Sequence, residues 1–172
     1  MSVDGMKDLE RKLNAASRMD VKKETVRAIQ TVRNAAVRNV HADTGELRQS
    51  IFTEVREDGD SVIGECYTNK EHAIYEEFGT GPKGQEKHAG ISPDADPVYK
   101  QSPWWIPESQ IDERVTEKYH MFHIDTKDGK FYQSYGQPAH PFMYPALKDS
   151  QDEILKDFTA DFTTNLEGIL KK

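Results

Sequence analysis

The chain has 172 residues and a formal net charge of −7 at pH 7. That length suits one domain with one sizeable core, and the acidic balance argues against a general grip on nucleic acid, which wants a basic face. The hydrophobic fraction is 35%, below the roughly 45–50% of ordinary globular domains, so the core is expected to be modest, with some segments lying outside it or ordering only against a partner.

The single cysteine, Cys66, excludes an intrachain disulfide framework and a thiolate zinc cage. It points to a reducing compartment. The chain has no run of about 18 apolar residues to span a bilayer. Met1-Ser2-Val3-Asp4-Gly5 lacks the basic and then apolar regions of a secretory signal. The expectation is a soluble protein kept in cytoplasm, or released by a route other than secretion.

Residues 5–40 contain no proline and no internal glycine. Met6, Leu9, Leu13 and Ala16 follow one helical stripe; Thr25, Ile29, Val32, Ala36 and Val40 follow another. Ser17-Arg18-Met19-Asp20 either breaks the two pieces or is absorbed into one helix. Lys22, Lys23, Arg27, Arg33 and Arg38 read as a solvated face, or as a local basic strip beside an acidic neighbour. Residues 50–56 and 61–67 read as a hairpin around Glu57-Asp58-Gly59-Asp60, with Ile51, Thr53 and Val55 on one face. Gly64 signals a bulge or a close backbone approach. Residues 71–78 form a brief helical face, stopped by Gly79-Thr80-Gly81-Pro82.

From there to about Asp112 the chain reads as irregular, with three glycines and five prolines between Gly81 and Pro107. Loops this long are usually functional or disordered. The pair Trp104-Trp105 and Ile106 argue for a loop that packs or docks. Residues 119–125 alternate as a strand, Asp128-Gly129 turns, and residues 130–135 return. Residues 136–142 form a rigid lead-in, and Pro145 suits the first turn of a long final helix carrying Leu147, Ile154, Leu155, Phe158, Phe162, Leu166 and Ile169. The expected class is α+β: an antiparallel sheet of about four strands from two hairpins, covered by long N- and C-terminal helices. One domain spanning residues 1–172 is expected, with a loop insertion at about 82–113.

Reactive chemistry finds little support. His120 and His123 would point to opposite faces of a strand, and His140 sits beside Pro141. Asp94 and Asp96 lack the glycine and terminal glutamate of a calcium loop. Cys66 on a strand reads as an inert thiol. Residues 79–84 lack Gly-Lys-Ser/Thr and read as having no helix after them. Glu76 and Glu77 diverge by about 100° on a helix, which is poor for paired acid–base work. Trp104 and Trp105 could stack on a sugar or base, against the competing reading that they pack.

Three stretches resemble a known family. Tyr75-Glu76-Glu77-Phe78-Gly79-Thr80-Gly81 resembles the Tyr-x-Glu-Phe-Gly-Thr-Gly signature of small bacteriophage head–tail joining proteins, the neck or tail-completion proteins of long-tailed phages. Thr44-Gly45-Glu46-Leu47-Arg48-Gln49-Ser50-Ile51 resembles that family's Thr-Gly-x-Leu-x-x-Ser-Ile entry into the first strand. Pro138-Ala139-His140-Pro141-Phe142, followed by Pro145-Ala146-Leu147, is similar to its lead into the last helix. These motifs specify shape, with Phe142 and Leu147 expected to anchor the last helix.

The resemblance implies an α+β fold, no catalysis, no cofactor, and a virion protein assembled in host cytoplasm. It implies copies arranged in a ring between the capsid connector or head-closure protein and the tail-tube or tail-terminator protein. A hexamer fits the sixfold tail and a dodecamer the portal side. DNA would pass through the lumen without specific binding. The stretch from Pro82 to Glu113 is longer than the minimal family pattern, which marks Trp104, Trp105 and Ile106 as a candidate interface loop. The rival readings are a small metal-dependent hydrolase using His120, His123 or His140, and a carbohydrate- or nucleic-acid-binding module using Trp104 and Trp105.

Overall fold

The computed structural model describes residues 6–8, 10–12, 21–41 and 45–170. Thr44 and the predicted break at residues 17–20 lie outside them. The described elements are α1 (Val21–Asn39), α2 (Glu46–Gln49), β1 (Ile51–Asp58), β2 (Ser61–Thr68), α3 (Ala73–Phe78), α4 (Gly81–Glu86), β3 (Trp104–Pro107), a 3-10 turn (Glu108–Gln110), α5 (Glu113–Lys118), β4 (His123–Thr126), β5 (Gly129–Ser134) and α6 (Met143–Leu170). The class is α+β. The chain divides into two compact units. One holds residues 1–39, 44–69 and 146–172; the other holds 40–43 and 70–145.

In the first unit α1 packs on the β1–β2 hairpin. Ile29, Val32 and Ala36 of the predicted stripe are buried, because their spacing puts them on one side of the helix. The hairpin runs in unbroken register from Ile51 opposite Thr68 to Asp58 opposite Ser61. Thr53, Val55 and Glu57 share a face with Cys66, Gly64 and Val62, and that face meets α1. Lys22 pairs with Glu57 at 3.0 Å, and Gln30 donates to Thr53 Oγ1 at 2.9 Å. The other face carries Phe52 against Tyr67 and Arg56 against Glu65.

Gly64 sits in a regular ladder, so its role is the close approach and not a bulge. A Cβ there would lie 3.0 Å from Thr25 Cγ2 and 3.3 Å from Ile29 Cβ. Helix α6 meets α1 through Arg27 and Asp161, 2.6 Å apart. The basic residues of α1 are therefore partly spent inside the chain. Arg33 Nε also donates to the carbonyl of Ile51 at 2.8 Å.

The second unit departs from the expected single four-stranded sheet. The strands form two sheets, β1–β2 and β3–β5–β4. Residues 104–107, expected to be loop, take the free side of β5, pairing Trp104 with Ser134 and Pro107 with Phe131. A four-residue segment that follows Pro103 and ends in Pro107 has too little pattern to read as a strand, yet prolines are tolerated at an edge. The interval 82–113 also contains most of α4.

The expected strand at residues 119–125 begins only at His123. Its first half is a helix end. His120 has φ 46°, its N–H reaches the carbonyl of Glu117, and Met121 N–H reaches that of Thr116. That is the bond pattern of a left-handed helix cap, and its Tyr-His-Met spacing imitates strand alternation. The same helix starts at Asp112, whose carboxylate accepts from the backbone N–H and the guanidinium of Arg114. Those contacts, the guanidinium first, pull the exposed carboxyl down to about 2.

Burial pushes the half-buried Cys66 thiol up from its ordinary range, against a weaker opposing pull from Arg33. A raised pKa leaves less thiolate at neutral pH. Alkylation of the folded protein should therefore run at least about tenfold slower than in denaturant, measured by mass spectrometry. Gly64→Val should lower stability by about 1–3 kcal/mol in urea unfolding, because α1 must shift to admit the side chain.

Candidate functional site

The resemblance motifs build two local structures. In the entry motif Gly45 has φ 74° and caps the short helix α2. Leu47 is buried and Ile51 fully so. Ser50 Oγ lies 2.8 Å from the carbonyl of Leu47, to which it donates, and 2.7 Å from Thr68 Oγ1. The motif thus turns the chain into β1 and ties Ser50, the residue before that strand, to the last residue of β2.

The other two motifs meet in the second unit. Glu77 stands on the last turn of α3 with only 7% of its surface exposed. Its carboxylate accepts three backbone N–H groups across 65 or more residues of chain. Oε2 takes Phe142 at 2.7 Å and Met143 at 2.9 Å, and Oε1 takes Tyr144 at 3.0 Å. These are the free donors at the start of α6; the next residue, Pro145, has none. A buried anion at this helix end satisfies the donors and meets the positive end of the helix dipole. Phe142 beside it is 1% exposed.

The main chain around this clamp is cross-linked. Thr80 and Gln137 exchange backbone bonds at 2.9 and 3.2 Å, and His140 N–H donates to the carbonyl of Glu76 at 2.7 Å. Gln137 Nε2 reaches the carbonyl of Tyr75, and Tyr99 Oη donates to that of Phe78. Gly79 has φ 73° and ψ −178°, a conformation essentially reserved for glycine. A Cβ there would lie 2.6 Å from Ala139 N, and one at Gly81 would lie 2.8 Å from the Trp104 ring. The motif glycines are the space into which the Pro138-Ala139 segment and Trp104 fit.

Several expectations are corrected here. Residues 79–84 do lead into a helix, α4. Leu147 is 48% exposed, while Ala146 and Ser150, four residues apart, are the buried positions early in α6, because a helix turns about 100° per residue and only one side faces inward. Pro141 and Pro145 are partly buried. The tryptophans form no joint platform: they alternate on β3, Trp104 against Gly81 and Trp105 towards Phe122, with ring centres 6.1 Å apart. Ile106 shares the side of Trp104 and is half-buried.

The histidines are dispersed. His120 caps α5, His123 lies against Tyr132, and His140 lies 4.8 Å from His41. Among the described residues there is no group of three or more His, Cys, Asp or Glu placed to hold a metal ion. A groove of about 350 Å³ in the first unit is lined by residues of α1 and α6, with Glu24, Arg27, Asp157 and Asp161 at its polar positions. Arg27 bonds both Glu24 and Asp161.

Sequence reasoning placed Glu77 in a motif but missed its task. The available signal was an absence: the Pro141-Phe142-Met143-Tyr144 start has no Ser, Thr, Asp or Asn to cap its own helix. An acceptor from elsewhere was required.

Residues 6–79 match the family model described as "Bacteriophage HK97-gp10, putative tail-component". The match covers less than half of the 172 residues, and it is a likeness to that phage tail-component family. The matched span covers the entry motif and the signature as far as Gly79, and ends before the lead-in to α6. No curated protein and no solved structure matches this chain significantly.

Glu77→Ala would strand three donors, two of them part-buried and one buried. It should lower stability by about 3 kcal/mol or more in urea unfolding. Glu77→Gln, which keeps an acceptor but loses the charge, should cost less than Ala.

Proposed function

We propose that this protein is a structural, non-enzymatic virion protein that joins the phage head to the tail as a ring subunit, in a neck or tail-completion role. The observation that carries the reading is the match of residues 6–79 to a tail-component family. The geometry agrees with it, because Gly45, Ser50, Glu77, Gly79 and Gly81 of the motifs serve backbone architecture. Glu77 is consumed by a helix end, and the motif glycines by close packing.

On this reading copies of the chain sit side by side between connector or head-closure proteins and tail-tube or tail-terminator proteins. Subunits are separate, or only weakly held, until they dock on a preformed surface, and then lock laterally. The lumen passes DNA without gripping it, and the net charge of −7 favours a wall that repels phosphates. The segment around Trp104, Trp105 and Ile106 contributes to a contact with a neighbour. The site of action is the head–tail interface of the virion, after assembly in host cytoplasm. No described helix is long and apolar enough to cross a membrane.

Electron microscopy of particles made without this protein tests the role. Filled heads and finished tails, left apart, are the expected result; normal virions would overturn it. The isolated chain should form no stable ring at micromolar concentration in light scattering.

A further inference from the structure

The second unit brings together two histidines that stand far apart in sequence. The rings of His41 and His140 have centres 4.8 Å apart and planes tilted by 51°, so the contact is not a parallel stack. Both side chains are exposed. No described residue hydrogen-bonds either ring; the bond that His140 donates comes from its backbone N–H. The chain as described engages none of the ring nitrogens. Other histidines are placed differently: His88 stacks on Tyr99, and His123 lies against Tyr132.

The main chain that carries the rings is held. Ala139 N–H donates to the carbonyl of Lys87 at 2.9 Å, His140 N–H donates to that of Glu76 at 2.7 Å, and Pro141 fixes the next φ. His41 follows Val40, which is 2% exposed. Ligands on a fixed backbone lose little freedom when an ion joins them. Imidazole suits Zn²⁺, Cu²⁺ and Ni²⁺. Such an ion lies about 2.0–2.1 Å from the ligating nitrogen, and so about 3.2 Å from the ring centre. At ligand angles of about 90–110°, two ring centres then lie roughly 4.5–5.2 Å apart. The observed 4.8 Å falls inside that interval. A half-turn about the Cβ–Cγ bond exchanges nitrogen and carbon positions, so either ring can turn a nitrogen towards a shared point.

We propose that His41 and His140 form a two-histidine site for a divalent metal ion of the zinc, copper and nickel class. No third His, Cys, Asp or Glu joins them among the described residues, so water fills the remaining coordination positions. Mg²⁺ and Ca²⁺ do not suit the site, because they take oxygen ligands. Two ligands hold an ion less tightly than the four of a structural zinc site, so binding in the micromolar range is expected. A bound ion joins residue 41 to the lead-in of α6, and an ion that binds only the folded chain stabilises it. The site does not depend on the proposed role in joining head to tail.

Calorimetric titration of the full, untagged chain with Zn²⁺ alone tests the site. Binding of one ion per chain is expected, with no comparable binding of Mg²⁺. His41→Ala and His140→Ala change exposed side chains and should each weaken Zn²⁺ binding at least about tenfold, with unchanged circular dichroism. His123→Ala should bind as the unaltered chain does. Where alanine disturbs the fold, His41→Gln and His140→Gln supply the same comparison. With Cu²⁺ in place of Zn²⁺, electron paramagnetic resonance should show coupling to two nitrogens, and to fewer in either variant. A merely structural ring contact would leave that spectrum unmoved. Failure to bind Zn²⁺ at millimolar concentration, binding that survives the loss of either histidine, or binding that follows His123 instead would overturn the proposal.

Discussion

The second unit depends on one buried carboxylate. Glu77 ends a six-residue helix and, through space, begins a 28-residue one. Helix ends leave donors that nothing inside the helix can satisfy. Here the start of α6 is made of Pro, Phe, Met, Tyr and Pro, which supply apolar packing but no capping oxygen. Glu77 supplies the oxygen, and its placement fixes where α6 begins. The neighbouring requirements follow from that. Gly79 must take a conformation closed to other residues, Ala139 must approach it, and Thr80 must pair with Gln137. The two motifs are halves of one structure.

The first unit is held differently. Its hairpin is a two-stranded sheet, marginal alone, and α1 covers one face of it. The residue that lets the helix approach is Gly64, which leaves room for Thr25 and Ile29. The other face of the hairpin is held by cross-strand pairs such as Phe52 with Tyr67. The basic residues of α1 serve this packing through Glu57, Asp161 and the carbonyl of Ile51. Lys22, Arg27 and Arg33 are thereby engaged within the chain.

The motif architecture leaves the chemistry of this protein at its surfaces. Residues whose type suggested reactions are occupied: Glu77 is clamped, Cys66 is half-buried, His120 caps α5, His123 lies against Tyr132 and His140 against His41. What remains outward is apolar area, on the sheet face around Trp105 and along α6. A chain with a small apolar fraction that nevertheless exposes such faces is suited to burial by neighbours. On the proposed reading, that is what a structural role in a phage tail region would require.

The sequence by itself determined the α+β class, the β1–β2 hairpin with its inward face, the buried stripe of α1, the turn at Asp128-Gly129 and the proline-led start of α6. Each follows from local periodicity or turn chemistry, which the backbone must obey wherever it lies. It also carried the resemblance, since short motifs with glycine and proline mark fixed backbone geometry. Only the tertiary structure decided the rest. Residues 104–107 become a strand because β5 offers a free edge, and residues 119–122 become a helix end because Thr116 and Glu117 carbonyls need donors. The split into two sheets follows from which edges find partners. Glu77 becomes the keystone because donors 65 residues away lack an acceptor. Such outcomes depend on what lies nearby in space, which neighbours in sequence do not specify.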